Sequence, residues 1–403
     1  MIRIAAARCS LAVAVVLLLA LSHASAQEVI KVRIANNAVL VPVRLQDHDL
    51  DFLLDTGSER SALDASAAQR LGLVESGSTE IIRDYRTQAA QEVANQSLAI
   101  GKKVFAPQGL PVIKLDSVSA ALGIPVDGVL GNDVLQTLAF RLNYSRKELT
   151  LIAGLKRDRL GTAIDLSRHG DEFYVPMRIA SVPVQLLLDS GTNSTSLSWS
   201  TWERVSQVWQ PNSVIDGVVR AGFPVPPAFL VCLPRIELGD AMLSYQVVRV
   251  QRKVASGAFS ASDFGGILGS EFLQQFEITY DLPNRRLFLK KDAKYGRDPY
   301  RFTTIGIQFA KDGDGRFEVM GVWKNSPAEE AGIQAGDQVE AVNGKNAAGL
   351  STAEFGGQLH GPEGTPVRLI IRRATMLSAV TLETRQMLCS SNNVRDMLRA
   401  EHR

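Results

Sequence analysis

The chain has 403 residues, is 45% hydrophobic and 21% charged, and is long enough for two or three domains with their own cores. This composition excludes a disordered, fibrous or disulfide-dense protein. Residues 1–26 contain two arginines and no acidic residue, so the rest of the chain has 42 basic and 42 acidic residues, a balance that offers no overall basic field to recruit nucleic acid.

The first segment, residues 1–26, has the layout of a cleaved secretory signal. Arg3 and Arg8 precede the apolar run Leu11–Leu21, and the small-residue pattern Ala24-Ser25-Ala26 follows it. The alternative is an uncleaved membrane anchor, but a helix needs ~20 apolar residues to cross a bilayer and this run is shorter. We therefore expect an exported protein, periplasmic or secreted, with no membrane span after cleavage.

Two cysteines, Cys232 and Cys389, follow the signal segment. An oxidising compartment permits a disulfide between them. Two buried free thiols are the alternative. The sequence alone does not bring the two residues together, so both alternatives stay open at this point.

The chain contains an internal repeat with a domain-sized period. The run FLLDTG at residues 52–57 recurs as LLLDSG at residues 186–191, at an offset of 134. Further on, GVLG at residues 128–131 is echoed by GILG at residues 266–269. Two copies of one fold are the simplest origin of such a pattern.

Residues 28–154 and 165–291 are predicted to be these two copies. Short β-branched and apolar runs alternate with Gly, Pro, Asn and Asp, which is typical of a mostly β fold. A helix is predicted over Ser61–Leu71, where alanine-rich spacing ends at Gly72. Strands are predicted at Val29–Ile34, Leu98–Ile100, Val104–Phe105, Arg235–Leu238 and Val247–Val250.

An Asp-Thr/Ser-Gly motif follows the apolar run in each copy. The strand holds Asp55 or Asp189 at a fixed depth, the next residue supplies a hydroxyl, and the glycine permits close backbone approach. A second hydroxyl after the glycine is expected to bond a carboxylate oxygen. The supporting residues are Thr56, Gly57 and Ser58 in the first copy, and Ser190, Gly191 and Thr192 in the second.

Two such loops that meet about a pseudo-two-fold axis bring Asp55 and Asp189 within about 3 Å of each other. Like charges at that distance cannot both ionise, so the pair shares one proton. One carboxylate then activates a water, while the other, protonated, polarises the substrate carbonyl. This chemistry hydrolyses an amide without a metal or a cofactor.

In these motifs the chain resembles the aspartic peptidases of the pepsin and retropepsin type. That family pairs each Asp loop with a downstream hydrophobic-hydrophobic-Gly strand, matched here by Val129–Gly131 and Ile267–Gly269. The resemblance covers about residues 30–290 and implies an all-β fold with two closed-barrel lobes related by a pseudo-two-fold axis. It also implies a hairpin flap, for which Glu80–Glu92 is the candidate segment and Tyr85 the candidate aromatic. A solvent-facing tyrosine is the alternative.

A further unit is predicted over residues 303–385. Its motifs, in order, are Ile305–Phe309, Ser326–Ala328, Gly336–Val339, Asn343–Gly344 and Gly361–Thr365. Their order and spacing resemble a PDZ domain of the bacterial protease-associated kind, which implies a small β-rich domain with one or two helices, one of them at Ser351–His360.

The PDZ resemblance also implies a peptide-binding role. It assigns the capture of a peptide C-terminal carboxylate to Ile305, Gly306, Ile307, Gln308 and Phe309, after which the peptide adds as a strand. A bulky residue at Gly306 is expected to block that approach. A degenerate PDZ domain that only packs on the peptidase is the alternative.

We therefore predict an aspartic-type endopeptidase that acts on peptides or proteins through Asp55 and Asp189, with no metal and no cofactor. One alternative is a retired peptidase scaffold that captures peptides, although both aspartates keep their flanking glycine and hydroxyl residues. Another is an enzyme that acts only as a homodimer, although the short link at about residues 154–165 favours pairing within one chain.

Overall fold

The computed structural model of the chain describes residues 27–83, 86–94, 96–154, 160–211, 214–218, 228–295, 302–312 and 314–389. The predicted signal, residues 1–26, and the flap candidate Tyr85 lie outside these residues. No helix among the described residues combines the length and the hydrophobicity that a bilayer span requires.

The first part of the chain is built mainly from strands. They are β1 (Glu28–Lys31), β2 (Arg33–Ala35), β3 (Ala38–Leu45), β4 (His48–Leu54), β5 (Ala62–Asp64), β6 (Gly77–Arg83), β7 (Arg86–Val93), β8 (Leu98–Ile100), β9 (Lys103–Phe105), β10 (Leu110–Ile113), β11 (Gly128–Leu130), β12 (Ala139–Asn143) and β13 (Glu148–Leu151). The helices here are α1 (Ala65–Arg70), α2 (Asp116–Leu122) and α3 (Asn132–Leu135).

The second part repeats this plan. Its strands are β14 (Thr162–Asp165), β15 (Ser167–His169), β16 (Glu172–Ile179), β17 (Val182–Leu188), β18 (Ser196–Leu197), β19 (Val214–Val218), β20 (Ala228–Leu238), β21 (Ala241–Val250), β22 (Gly266–Leu268), β23 (Phe276–Asp281) and β24 (Arg286–Lys291). Its helices are α4 (Trp199–Val208) and α5 (Ser270–Leu273), and short 3₁₀ turns span Ala258–Ser260 and Leu282–Asn284.

The C-terminal unit (residues 302–389) is also β-rich. Its strands are β25 (Thr303–Thr304), β26 (Ile307–Lys311), β27 (Phe317–Val322), β28 (Gln338–Val342), β29 (Lys345–Asn346), β30 (Pro366–Arg373), β31 (Met376–Glu383) and β32 (Arg385–Gln386). Its helices are α6 (Pro327–Glu330) and α7 (Thr352–Gly357), with a 3₁₀ turn at Ala347–Gly349.

Strands β2–β11 form the sheet of the first lobe, and β15–β22 form the sheet of the second lobe. In the second lobe β16 also pairs with β20, which closes a six-stranded barrel of β16, β17, β22, β18, β21 and β20. In the first lobe the strand that matches β20 is divided into β7 and β8, so its sheet stays open between them. The predicted all-β, two-lobed architecture is confirmed.

A shared sheet joins the lobes in the order β1-β13-β12-β23-β24-β14. Each copy contributes three strands, and the two inner strands pair antiparallel at the centre. Phe140 and Tyr280 lie opposite each other there, and their rings stack with centroids 4.5 Å apart. Because both side chains are buried in the main hydrophobic core, the two lobes are packed as one body.

Two predicted elements differ in their bounds from the structure. The helix predicted over Ser61–Leu71 begins only at Ala65, because Ala62–Asp64 pairs with β10 and β11 and Asp64 then caps the helix through its side chain. The helix predicted over Ser351–His360 spans Thr352–Gly357, where Ser351 and Glu354 form a reciprocal capping box.

The C-terminal unit has its own core and docks on the second lobe. Trp323, at the end of β27, packs with Ile215 of β19 and with Leu388 in one apolar cluster. In the same cluster a disulfide joins Cys232 of β20 to Cys389, with Cα atoms 5.4 Å apart. Of the two alternatives open for these cysteines, the structure therefore has the disulfide.

Candidate active site

Each predicted Asp loop begins where a buried strand ends beside a parallel neighbour. Leu54 of β4 pairs with Leu130 of β11, and the next amide, that of Asp55, donates to the Leu130 carbonyl over 3.1 Å. The second lobe repeats this with Leu188 beside Leu268 of β22 and the Asp189 amide at 3.1 Å from the Leu268 carbonyl. The hydrophobic-hydrophobic-Gly motifs thus hold both aspartates in place.

Thr56 and Ser190 form a reciprocal hydroxyl pair between the lobes. Thr56 Oγ1 donates to the Leu188 carbonyl and Ser190 Oγ to the Leu54 carbonyl, each over 2.7 Å. Each hydroxyl also accepts the other residue's backbone amide, at 3.1 Å and 3.0 Å. Both residues are fully buried, so four hydrogen bonds related by the pseudo-two-fold axis fix one loop against the other.

The two glycines pass close to the opposite carboxyl group. A methyl group on Gly57 would overlap the carboxyl of Asp189, and one on Gly191 would overlap that of Asp55. Each glycine also donates its amide to the Oδ1 atom of its own aspartate over 2.9 Å. The absence of a side chain therefore allows both loops to enclose the carboxyl pair.

The two carboxyl groups are in hydrogen-bonding contact. Burial raises the pKa of Asp55 well above its usual value, and the charge of Asp189 and the hydrogen bond to it raise that pKa further. The amides of Gly57 and Ser58 act in the opposite direction and do not outweigh these effects. A carboxyl group with a raised pKa keeps its proton at a pH where an exposed aspartate has lost it.

The residues after the glycines differ from expectation in one respect. The Ser58 hydroxyl donates to the Arg60 carbonyl over 2.8 Å, not to a carboxylate, because its backbone amide is the group that faces Asp55. In the other loop the Thr192 backbone amide donates to Asp189 Oδ1 over 3.0 Å. Support for the carboxylates thus comes from backbone amides in both loops.

Sequence reasoning missed two residues that brace these loops. The Asn132 side-chain amide donates to the Thr56 carbonyl over 2.9 Å, and Ser270 Oγ donates to the Thr192 carbonyl over 2.9 Å. Asn132 and Ser270 each come directly after the Gly-containing motif of their lobe. That shared position was the signal that could have identified them.

The predicted flap segment lies in the β6–β7 hairpin, whose strands pair from Gly77 opposite Glu92 to Arg83 opposite Arg86. The described residues contain no cluster of three or more His, Cys, Asp or Glu side chains placed to hold a metal ion.

In the C-terminal unit, β26 lies at the edge of its sheet among the described residues, next to β27. Ile305 and Ile307 are buried, whereas Gln308 and Phe309 are partly exposed, and the Phe309 ring packs 4.7 Å from that of Phe355 on α7. The predicted peptide groove is therefore bordered by β26 and, toward α7, by the ring of Phe309.

Gly306 has a structural role that the sequence did not reveal. Its φ is +85°, and a methyl group there would overlap the side chain of Ser326, while its carbonyl accepts the Trp323 amide over 2.9 Å. A bulky residue at Gly306 would therefore disrupt the unit's own packing, in addition to the block of carboxylate approach that the sequence predicts.

Comparison with known proteins identifies two segments. Residues 41–134, which include the Asp55 loop, match the family described as aspartyl protease, and residues 318–373 match the PDZ domain family. The chain therefore combines a segment of the aspartyl protease type with one of the PDZ type. A solved structure, the aspartic proteinase from Irpex lacteus, aligns over 66% of this chain and 97% of its own at 13% identity, with a TM-score of 0.42.

Several curated relatives are carboxyl-terminal processing proteases. The protein CtpA of Bacillus subtilis is 40% identical over 73 residues, which are 18% of this chain and 16% of the relative. A probable CtpA-like serine protease of Staphylococcus saprophyticus is 30% identical over 118 residues, 29% of this chain and 24% of the relative. The chain thus spans less than a third of the length of these relatives.

Proposed function

We propose that the protein is an aspartic-type endopeptidase whose Asp55 and Asp189 activate a water molecule. The observation that carries this proposal is the hydrogen-bonded carboxyl pair, in which the pKa of Asp55 is raised by burial and by its partner. The match of residues 41–134 to the aspartyl protease family supports it. The partial likeness to serine proteases does not extend to their full length, so their catalytic type is not transferred.

The shared proton divides two roles between the carboxyl groups. The ionised group takes a proton from the bound water, and the water oxygen bonds to the carbonyl carbon of the scissile amide. The protonated group gives its proton to the carbonyl oxygen, which yields a tetrahedral diol. The carboxyl group that took the water proton then gives it to the amide nitrogen. As the C–N bond breaks, one diol hydroxyl loses its proton to the other carboxylate, so the products are a carboxylic acid and an amine and the pair again holds one proton.

We further propose that the C-terminal unit binds the free C-terminus of peptide or protein substrates along β26. The position of β26 at the edge of its sheet among the described residues, and the Phe309 ring toward α7, support this role, since a peptide adds as a strand at a sheet edge and needs a pocket for side chains. The protein is proposed to act outside the cytoplasm, because the Cys232–Cys389 disulfide fits an oxidising compartment.

The decisive experiment is digestion of a peptide library by residues 27–403 over a range of pH, with and without a statine-type inhibitor. We expect cleavage that the inhibitor abolishes and that a serine-reactive fluorophosphonate leaves unchanged. Inhibitor binding without cleavage would identify a retired scaffold, and fluorophosphonate sensitivity would contradict the aspartic type. Specific activity should not fall on dilution, since both loops come from one chain.

The groove is tested with neighbouring glycines of α7. A methyl group on Gly356 would lie 3.3 Å from Phe309 Cζ, whereas one on Gly357 would meet no atom within 4 Å. Gly356→Leu is expected to weaken binding of peptides with a free C-terminus, and Gly357→Leu to leave it unchanged. Equal binding of amidated peptides, or equal effects of the two substitutions, would contradict carboxylate capture in this groove.

A further inference from the structure

Arg60 lies five residues beyond Asp55, where the Asp55 loop leads into β5. Its main chain packs tightly against Gly131, as shown by the overlap that a methyl group added to Gly131 would make with the Arg60 carbonyl group. The next residue, Ser61, donates its amide and its hydroxyl to Asp133 Oδ1 over 2.8 Å and 2.7 Å. The backbone of Arg60 therefore belongs to the same rigid unit as the loop that carries Asp55.

The side chain of Arg60 leaves this unit and reaches the β6–β7 hairpin. Nη1 donates to Thr79 Oγ1 on β6 over 2.8 Å. Nη2 forms an ion pair with Glu92 on β7 and donates to the Gly109 carbonyl, just before β10, over 3.1 Å. One guanidinium group thus bonds both strands of the hairpin and the segment that enters its neighbouring strand.

The surroundings of this ion pair fit a specific contact. The Arg60 side chain is 34% exposed and that of Glu92 22%, so both charges are largely removed from water. A methyl group on Gly109 would overlap the Glu92 carboxylate, so the glycine makes room for it. A partly buried, charge-assisted bond with several donors is stronger and more directional than an exposed pair.

The second lobe has no cation at the equivalent position. The residue 134 positions after Arg60 is Ser194, whose main chain packs on Gly269 as that of Arg60 packs on Gly131. The duplicated backbone therefore does not need a cation at this position. In the second lobe a guanidinium group reaches the β19–β20 hairpin from a different place, because Arg252, just beyond β21, donates to Asp216 of β19 over 2.6 Å. What distinguishes the first lobe is that its contact starts at the Asp loop itself.

We propose that Arg60 is a positioning residue that holds the β6–β7 hairpin in a fixed place relative to the Asp55 loop and thereby sets the affinity for substrate on the first-lobe side of the cleft. The proposal rests on the proposed peptidase function. Because Arg60 bonds the strands of the hairpin and not the carboxyl pair, its loss should weaken substrate binding and leave the chemical step unchanged.

The test compares Arg60→Gln, Glu92→Gln and Arg60→Lys in residues 27–403. Lysine keeps the charge but lacks the planar fork that bonds Thr79, Glu92 and Gly109 together. Arg44→Gln is the matched control, since Arg44 lies on β3 of the same lobe and pairs with one exposed carboxylate, Asp49.

Two readouts are needed. Hydrogen–deuterium exchange of the β6–β7 amides should accelerate about tenfold in Arg60→Gln and in Glu92→Gln, as for loss of one charged hydrogen bond, with no change in Arg44→Gln. With a peptide that the wild-type protein cleaves, KM should rise by a similar factor, while kcat and the pH profile stay the same. Arg60→Lys should resemble Arg60→Gln.

Unchanged exchange in Arg60→Gln and Glu92→Gln would overturn the proposal, and so would a fall in kcat or a shifted pH profile at constant KM. Wild-type protein that cleaves no peptide would contradict the proposed function instead. The exchange readout does not depend on activity, so it would still confirm or reject the part of the proposal that concerns the hairpin.

Discussion

The two lobes are nearly identical at the carboxyl pair and differ increasingly with distance from it. The hydroxyl pair, Thr56 and Ser190, makes the same hydrogen bonds from both sides, and each glycine makes the same amide bond to its aspartate. The outer faces, in contrast, are covered differently. The symmetry is kept in the hydrogen bonds around the two aspartates and is lost in the elements that cover the apolar outer faces.

The covering elements show this difference. In the first lobe, Leu40 and Leu53 lie in a cluster with Val118 and Leu122 of α2. In the second lobe, the corresponding cluster around Leu187 is covered by aromatic rings from a segment whose only helical turn is a short 3₁₀ turn; these are Phe259 and Phe264, 5.1 Å apart. Burial of apolar area does not prescribe an element type, so both coverings serve the same fold.

The hairpins of the two lobes are also held by different means. Arg60 bonds the β6–β7 hairpin to the Asp55 loop of its own lobe. The β19–β20 hairpin is bonded within its lobe by Arg252, which donates to Asp216 of β19. It is also joined to the C-terminal unit through Cys232–Cys389 and the contact of Ile215 with Trp323. The first-lobe hairpin is therefore bonded to its own Asp loop, whereas the second-lobe hairpin is also attached to the C-terminal unit.

The largest effect is expected where the lobes are most alike. Asp55→Asn and Asp189→Asn should each lower kcat by about 10³-fold or more, because the shared-proton mechanism needs both carboxyl groups. The melting temperature should not fall, since an amide removes a buried titratable group. Peptide hydrolysis and thermal unfolding check this together, and a single substitution that keeps a tenth of the activity would show that the pair is not the catalytic unit.

The second-largest effect should differ between the two lobes. Replacing both Cys232 and Cys389 by serine should lower the free energy of unfolding by about 2–4 kcal/mol under non-reducing conditions. Amide exchange should then rise in β19–β20 and stay unchanged in β6–β7, because only the former hairpin carries the bridge. The wild-type protein in reducing buffer is the control, and a uniform rise in both hairpins would contradict separate attachment.

A smaller and symmetric loss is expected at the hydroxyl pair. Thr56→Ala and Ser190→Ala should each cost about 1–3 kcal/mol in the free energy of unfolding, since each leaves a buried amide and a buried carbonyl without a partner. Thr56→Ser and Ser190→Thr keep the hydroxyl and serve as controls. Chemical unfolding measures the losses, and clearly unequal values for the two alanine variants would mean that the lobes do not share this contact equally.

The smallest expected effect is a dependence of stability on pH. The folded state raises the pKa of Asp55, so it binds this proton more tightly than the unfolded chain does. The resulting stabilisation is fully present below the unfolded value of about 4 and is lost as the pH rises through the raised value. Thermal melts of the wild type should show this slope, and Asp55→Asn should reduce it; an unchanged slope would place its origin elsewhere.

The carboxyl pair could be predicted from sequence because its signals are local and repeated. Asp55 and Asp189 each follow an apolar run in a motif that recurs at one offset. What could not be predicted depends on contacts between distant segments. Asp64 caps helix α1 because Ala62–Asp64 forms a strand paired with β10 and β11. Gly306 has no room for a side chain because that of Ser326, 20 residues further on, packs against it.

For the same reason, the sequence alone could not predict the contacts of Arg60 or decide between a disulfide and two free thiols. The guanidinium contact needs Thr79, Glu92 and Gly109 to converge through the folding of the sheet. The cysteines are 157 residues apart and meet only because the C-terminal unit docks on β20. No local pattern encodes either contact.

Because of the disulfide, the C-terminal unit is covalently attached to the second lobe at both of its ends. Its entry and exit lie together, since β25 pairs with β32 and the Met387 amide donates to the Phe302 carbonyl over 2.8 Å. Two covalent attachments restrict how far the unit can move from the second lobe, whereas reduction leaves a single covalent connection. Protein produced in a reducing cytosol and protein exported before folding would then differ in how firmly the C-terminal unit is held, although their sequences are the same.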